Sequence, residues 1–168
     1  MSQKGRRYLI KSKEAKIILD QVSSRLKMNG EGLFGSKSQT EIIESERVRI
    51  FLVNGKPLLF ENENVVLPTL FFSEALRRLP KIIVDMGAVP YVCKGADVMA
   101  PGIVRIEGEF RSGQLLVVAD VKYGKLLSLG ESLVDSTNAK AMKQGPVVKN
   151  LHYVSDKVWQ LLKNSGDS

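Results

Sequence analysis

The chain has 168 residues, of which 43% are hydrophobic and 26% charged, a balance typical of a globular protein with a core. No apolar run reaches the roughly 20 residues that a transmembrane helix needs, and no apolar stretch follows the basic N-terminus, so we expect no membrane association and no secretory signal. The single cysteine, Cys93, excludes an intrachain disulfide and a cysteine-based zinc site, which favours a reducing, cytoplasmic setting.

The net charge of +7 suits a polyanionic partner such as RNA. Residues 1–79 carry 14 basic and 9 acidic side chains and residues 80–168 carry 11 and 9, so most of the basic excess lies in the first part. Its beginning is the most basic stretch. Six basic residues precede Ile17, and they form either a ridge that binds phosphates or a solvated helix face: Lys4, Arg6, Arg7, Lys11, Lys13 and Lys16.

A short strand over Tyr8–Ile10 and an amphipathic helix open the first part. Ser12 is predicted to cap the N-terminus of the helix, and Asn29-Gly30 is predicted to end it. The apolar positions have the spacing of one helix face: Ala15, Ile18, Leu19, Val22 and Leu26.

The segment Gly30–Gly35 reads G-x-G-x-x-G, which in dinucleotide-binding proteins follows a strand and opens a helix. Here a predicted helix precedes it and a polar loop follows, so we reject nucleotide binding. A flexible loop that closes onto the sheet through Leu33 and Phe34 is the better interpretation.

Strands are predicted from Glu41 to Phe60, with a hairpin turn at Asn54-Gly55, where both residues tolerate positive φ. One of them covers Arg47–Leu52. Val65–Leu67 starts another extended piece.

A helix is predicted from Pro68 to Pro80. Its apolar face would contain Leu70, Phe71, Ala75 and Leu76. Arg77 and Arg78 would lie in its last turn, where they either complement the helix dipole or contact phosphate. A domain boundary is expected at Leu79-Pro80.

The stretch from Val84 to Ile103 is dense in glycine and proline, which predicts a tightly specified backbone. We expect a strand at Lys81–Asp85, a turn at Met86–Ala88 and a second strand at Val89–Cys93. A helical turn over Ala96–Met99 and a Pro101-Gly102 turn would then lead into a third strand.

The remaining elements alternate between strands and short helices. Predicted are a strand over Phe110–Asp120 with a turn at Ser112-Gly113, a turn at Lys122–Lys125, strands at Leu126–Leu129 and Val147–Val154, a short helix capped by Ser136, and a helix at Asp156–Leu162. Lys122 and Lys125 flank Tyr123, an arrangement that suits single-stranded RNA or a solvated hairpin tip.

No catalytic centre is predicted. His152 is the only histidine, which excludes a His-cluster metal site, and no nucleophile-elbow motif is present. Asp97 either caps the short helix or contributes to a binding site. We predict a non-catalytic protein without a cofactor or metal.

The glycine motifs Gly87–Ala88 and Gly95–Gly102 resemble those of the PUA domain, a small RNA-binding β-barrel of pseudouridine synthases, archaeosine transglycosylases and some translation factors. The resemblance extends through Phe110, Gly113, Leu115–Ala119 and Gly130. It implies an α+β protein with a small N-terminal α+β (pre-PUA) domain, residues 1–79, and a PUA β-barrel with a C-terminal helix, residues 80–168.

The ending Asn150–Asp156 followed by Trp159 resembles the malignant-T-cell-amplified-sequence family, and the absence of long insertions fits an archaeal-type relative. Eukaryotic members pair a pre-PUA domain with a PUA domain and act on the small ribosomal subunit in translation initiation, with density-regulated protein as partner. The resemblance implies the same process here, with RNA as partner and a second translation factor as a further candidate.

RNA in PUA domains lies against the short helix and the glycine loop before it. Carried onto this sequence, that implies a helix N-terminus with free N–H groups beside Gly95 and a positive charge at Lys94, while Val98 is expected to lie in the core. The full set of RNA-binding candidates is Lys94, Gly95, Ala96, Asp97, Met99, Arg77, Arg78, Lys122, Lys125, Arg6 and Arg7.

Three functions remain open. The first is an RNA-binding protein in translation, on the small ribosomal subunit or tRNA. The second is an accessory RNA-binding module for tRNA or rRNA modification, in a pseudouridine or archaeosine pathway. The third is a protein-interaction scaffold, which predicts no salt-dependent RNA affinity.

Overall fold

The computed structural model describes residues 6–46 and 48–165. Lys4 of the basic N-terminal stretch and Arg47 of the predicted strand lie outside them. Contacts between Cα atoms divide the chain into two compact units, one of residues up to Ala75 with those from Gln160 onward, the other of Leu76–Trp159. The boundary at residues 79 and 80 stays a prediction.

The sheet of the first unit is an antiparallel meander in which each strand pairs with the next along the chain. Its strands are β1 (Arg6–Leu9), β2 (Thr40–Glu44), β3 (Arg49–Val53), β4 (Lys56–Asn62) and β5 (Val65–Pro68). The predicted hairpin turn between β3 and β4 is confirmed, since Asn54 and Gly55 have φ of 52° and 82°.

Helix α1 (Ser12–Leu26) buries the predicted apolar face, with Ala15, Leu19, Val22 and Leu26 in the core. Both predicted caps are wrong. Lys11 is the N-cap, without a side-chain hydrogen bond, and Lys27 ends the helix in the left-handed conformation at φ 55°. The helix thus begins one residue earlier than a serine cap allows.

The Gly30–Gly35 segment is ordered as helix α2 (Gly30–Phe34), which corrects the predicted flexible loop. Asn29 does not end α1 but caps α2, because its side chain accepts a hydrogen bond from the Glu31 N–H. Leu33 and Phe34 are buried, as predicted, and the Phe34 ring lies 5.6 Å from that of Phe72.

The predicted helix from Pro68 to Pro80 is mostly absent. Pro68 is the last residue of β5, and helix α3 covers only Ser73–Leu76. The Thr69 hydroxyl accepts the Phe71 N–H and donates to the Pro57 carbonyl, which holds the intervening residues out of a helix. Arg77 and Arg78 therefore follow the helix instead of forming its last turn.

The second unit is a curled six-stranded sheet that forms a half-barrel, as predicted for a PUA-type fold. Strands β6 and β9 are parallel and the other pairs are antiparallel, in the order β7-β11-β10-β9-β6-β8. The strands are β6 (Lys81–Val84), β7 (Val98–Met99), β8 (Ile103–Glu107), β9 (Leu115–Asp120), β10 (Leu126–Ser132) and β11 (Pro146–Tyr153). Its core includes Ile82, Val84, Leu116, Val118 and Val148.

Two elements of the glycine-rich stretch differ from prediction. Val89–Val92 is helix α4, not a strand, and Pro90 stands in its first turn, where the missing N–H costs nothing. Ala96–Met99 is not a helical turn: Ala96 and Asp97 lead into strand β7, and a 3-10 turn, Ala100–Gly102, precedes β8. Cys93 accordingly follows a helix and does not lie in a strand.

Smaller corrections concern the second half of the chain. The strand predicted from Phe110 begins only at Leu115, after the Ser112-Gly113 turn. Helix α5 (Ser136–Ala141) is capped by Asp135, which accepts the Asn138 N–H, while the Ser136 hydroxyl accepts the Phe110 N–H. The final helix is α6 (Lys157–Ser165).

Among the described residues, no helix combines the length and the apolar character needed to cross a membrane.

Candidate nucleic-acid interface

The segment between β6 and β8 is tied at both ends. The Asp85 N–H donates to the Gly102 carbonyl at 3.0 Å, and the Asp85 carboxylate accepts the Ala88 N–H at 2.9 Å. The hydrogen bond to this carboxylate stabilises the turn between the end of β6 and the start of α4. The position of α4 is thereby fixed by backbone contacts and one acid.

The Gly95 turn, residues 93–97, ends α4. Gly95 has φ of +96°, a conformation that favours glycine. The Gly95 and Ala96 N–H groups donate to the Val92 and Tyr91 carbonyls, each at 3.0 Å. The expected helix N-terminus with free N–H groups is therefore wrong: this is the C-terminus of α4, and both N–H groups are used within it.

Tyr153, at the end of β11, packs directly against Gly95. A Cβ at position 95 would lie 3.0 Å from the Tyr153 Cε1 atom and 3.1 Å from its hydroxyl oxygen. Two independent constraints, backbone conformation and the close ring, thus require glycine here.

Asn150 of β11 is hydrogen-bonded to residues at both ends of the turn. Its side-chain amide donates to the Val92 carbonyl at 3.0 Å and the Ala96 carbonyl at 3.1 Å. Its backbone N–H donates to the Asp97 carboxylate at 3.0 Å, so Asp97 does not cap a helix. Asn150 and Tyr153 were not predicted as site residues. Their positions depend on the pairing of β11 with β10, which shifts register between Leu129 and Gly130, and the sequence does not show this pairing.

A buried corner at the end of β11 holds Tyr153 in place. The His152 Nδ1 atom lies 2.7 Å from the Asp156 carboxylate, which also accepts the Tyr153 N–H at 2.9 Å and the Trp159 N–H at 2.7 Å. His152 is fully buried. These contacts give it a structural role.

Exposed apolar, aromatic and basic groups lie in the Gly95 turn and within two residues of it. Tyr91 is 68% exposed and Met99 48% exposed, and Lys94 and Ala96 are exposed as well. Val98, in contrast, is buried in the core, as expected. Such a mixture of ring, thioether and ammonium groups suits a base with its phosphates.

The tip of the β9–β10 hairpin lies at the end of the sheet where β6 ends and the chain continues to α4. The Val121 N–H donates to the Val84 carbonyl at 3.0 Å, directly before Asp85. Burial raises the pKa of the Cys93 thiol, and the nearby Lys125 ammonium opposes this rise. The Val154 N–H donates to the Leu127 carbonyl at 2.9 Å, and the Ser155 hydroxyl donates to the Cys93 carbonyl at 3.5 Å, so the start of β10 is linked to the Gly95 turn.

The arginine candidates belong to other elements of the chain. Arg77 and Arg78 precede β6, whose four residues alone separate them from Asp85 by roughly 13 Å along the strand. Arg6 and Arg7 belong to β1 of the first unit. Arg7 donates two hydrogen bonds to Glu41, at 2.7 and 3.2 Å, which raise the pKa of Arg7 and lower that of Glu41. The Arg6 guanidinium lies 5.3 Å from the Tyr8 ring centroid.

No cluster of three or more His, Cys, Asp or Glu side chains suited to a metal ion is found within residues 6–46 and 48–165.

Asp120 closes the hairpin tip. Its buried carboxylate accepts the Tyr123 N–H and, at 3.2 Å, the Lys125 N–H. Backbone hydrogen bonds, that of Tyr123 first, hold the pKa of Asp120 below its ordinary value of 3.8.

The lowered pKa predicts a pH-dependent stability. Since the folded state favours the carboxylate, the stabilisation is present above the ordinary pKa and is lost as pH falls through the folded pKa, below about pH 4. Urea unfolding at pH 3 to 6 should show a steeper fall in unfolding free energy for the wild type than for Asp120→Asn. Parallel pH profiles would contradict this.

Two family models match the chain. The PUA domain matches residues 80–154, and a domain of unknown function, DUF1947, matches residues 6–74. The chain is also 26% identical to a PUA domain from Aeropyrum pernix solved in complex with tartrate, covering 96% of this chain and 92% of the other, with a TM-score of 0.80.

Relatives match over different parts of the chain. An uncharacterized protein from Methanocaldococcus jannaschii is 32% identical over 157 residues, 92% of this chain and 95% of its own. Translation machinery-associated protein 20 from Saccharomyces cerevisiae is 27% identical over 138 residues, 76% of this chain and 75% of its own. A probable tRNA pseudouridine synthase B from Pyrobaculum arsenaticum is 42% identical over 86 residues, 51% of this chain and 25% of its own.

Proposed function

Because the chain belongs to the family of proteins that join a DUF1947 domain to a PUA domain, we propose that it is a non-catalytic RNA-binding protein of the cytoplasm. Its proposed process is translation initiation, on the small ribosomal subunit, tRNA or both. A second translation factor is a further proposed partner.

The observation that carries this proposal is the extent of the matches. The PUA domain is an RNA-binding module, which supports RNA as the ligand. The translation machinery-associated relative matches 76% of the chain, more than the PUA domain alone spans. The pseudouridine synthase matches 51% of it. Similarity over both domains therefore favours translation.

The Gly95 turn supports the proposed mode of binding. The N–H groups of residues 93–96 already donate to carbonyls of α4, so side chains are expected to supply the affinity. Lys94 offers a cation for a phosphate, and the exposed Tyr91 and Met99 offer apolar surface for a base. Asn150 and Tyr153 hold the turn in this arrangement without a ligand.

Lys94→Glu is the direct test of this site. Loss of one cation and gain of a repulsive charge should weaken binding of the full chain to single-stranded RNA about fivefold to tenfold at low salt. The slope of log affinity against log salt should become shallower by about 0.7. Fluorescence anisotropy with a labelled oligonucleotide measures both.

The matched control is Lys140→Glu, the same charge change at an exposed position of α5 in the same unit. It should change the affinity little. Equal weakening by both variants would indicate a general charge effect, and unchanged binding by Lys94→Glu would place the RNA elsewhere.

The similarity to the pseudouridine synthase supports a second candidate, an accessory RNA-binding module for RNA modification. Density-gradient fractionation of native lysate, with and without ribonuclease, separates the candidates. Migration with the small ribosomal subunit supports translation, and migration with free tRNA favours modification. A position near the top that ribonuclease does not change favours a protein scaffold.

A further inference from the structure

The hairpin tip, residues 121–125, is rigid without any partner. The Asp120 carboxylate accepts two of its backbone N–H groups, those of Tyr123 and Lys125. The Gly124 N–H donates to the Asp120 carbonyl at 3.2 Å, and Gly124 itself has φ of +66°. The backbone of the tip is therefore fixed from within.

This rigid tip displays an aromatic ring to solvent. Tyr123 is 72% exposed, more than any other large hydrophobic side chain described. The Lys122 ammonium lies 5.1 Å from the centroid of the ring, within the range of a cation–π contact. A ring held out in this way adds little to the core, but it gives a planar surface at low entropic cost to a ligand.

The tip and the Gly95 turn are neighbours. The Val121 N–H donates to the Val84 carbonyl, one residue before Asp85, and the Val154 N–H donates to the Leu127 carbonyl while the neighbouring Ser155 hydroxyl donates to the Cys93 carbonyl. An RNA strand bound at Lys94 thus has the exposed side chains of the tip, Lys122, Tyr123 and Lys125, at the same end of the sheet. A ring with a cation on each side of it in the chain offers one face to a base and two charges to phosphates.

We infer that Tyr123 is a stacking platform for one unpaired base of the bound RNA, with Lys122 and Lys125 contacting the flanking phosphates. This inference rests on the proposed function and deepens it: the ligand is single-stranded at this point, because a paired base does not present its face to a protein ring. The tip extends the interface beyond the residues of the Gly95 turn.

The test uses the full chain and a ten-nucleotide single-stranded RNA, with a duplex of the same sequence as the comparison ligand. Tyr123→Ala should weaken single-strand binding about 5-fold to 150-fold, the range for loss of one stacked base, and should leave duplex binding unchanged. Tyr123→Phe keeps the ring and should bind like the wild type. Because the side chain is exposed, both variants should have wild-type thermal unfolding.

Salt dependence separates stacking from charge. Tyr123→Ala should leave the salt slope unchanged, whereas Lys122→Ala should make it shallower by about 0.7, the value for one phosphate contact on a single strand. If the wild type binds single-stranded RNA and Tyr123→Ala binds it equally well, the inference is overturned and the proposed function stands. Equal loss for single strand and duplex also overturns it. No salt-dependent RNA binding by the wild type overturns the proposed function itself, and the inference with it.

Discussion

Replacing Gly130 with alanine is expected to lower the free energy of unfolding by about 3 kcal/mol, the upper range for forcing volume into a packed core. A Cβ at this position would lie 2.2 Å from the Val148 Cγ1 atom and 3.0 Å from the Lys149 carbonyl oxygen. Val148 is fully buried and its branched side chain has little rotational freedom. Strand β11 must therefore move. Urea unfolding followed by the fluorescence of Trp159, the only tryptophan, measures the change.

Two further variants isolate the clash. Gly113→Ala meets no atom within 4 Å but has φ of +88°, so it should cost only the backbone strain of about 1–2 kcal/mol. Gly130→Ala combined with Val148→Ala should be less destabilised than the sum of the single changes, because the second change removes the nearest contact. If Gly130→Ala is as stable as Gly113→Ala or more stable, the close contact between position 130 and Val148 is contradicted.

Elements set by local patterns are predictable from this sequence. The buried face of α1 follows from helical spacing, and the Asn54-Gly55 hairpin follows from two residues that tolerate positive φ. In both cases the pattern that decides the structure lies within one element and can be read from neighbouring residues. The strand predicted at Lys81–Asp85 is found at Lys81–Val84.

Helix α4 shows where local patterns fail. Its residues, Val89–Val92, are β-branched, aromatic or proline, a composition typical of a strand. Its helical form is instead fixed by the Asp85 carboxylate before it and by Asn150, which reaches the Val92 carbonyl from 58 positions away. Single-sequence propensity does not contain such a contact.

The residues of the candidate site also fall into two groups, those that the sequence predicts and those that only the tertiary structure shows. Lys94, Ala96 and Met99 follow from the motif resemblance and are exposed in the structure. The supports of the turn, Asn150 and Tyr153, come from another strand, and their role follows only from the sheet topology. The resemblance therefore predicts the position of the turn, while its hydrogen bonding and its orientation require the tertiary structure.

Replacing Asp156 with alanine should be as destabilising as the change at Gly130, and lower the free energy of unfolding by about 3 kcal/mol. The carboxylate accepts the Trp159 N–H at the start of α6, a cap worth about 1 kcal/mol. It also accepts the Tyr153 N–H and pairs with the ring of His152, and leaving that buried ring without its partner costs about 1–3 kcal/mol. Urea unfolding is again the measurement.

Asp156→Asn is the matched control. Asparagine is also a favourable N-cap and its amide reaches the same neighbours, so we expect a loss of about 1 kcal/mol. Stability of Asp156→Ala within 0.5 kcal/mol of the wild type, the range of an ordinary surface change, would show that the corner does not hold the fold.

The same variants connect stability to binding. Tyr153 packs on Gly95, and its backbone N–H is held by Asp156, so loss of the carboxylate removes a support of the Gly95 turn without touching its outer surface. We expect Asp156→Ala to bind single-stranded RNA more weakly than Asp156→Asn at a temperature where both are folded. Equal RNA affinity of the two variants would mean that the turn keeps its geometry through Asn150 alone. In that case the buried corner serves stability, and the interface depends on strand β11 only through the Asn150 amide.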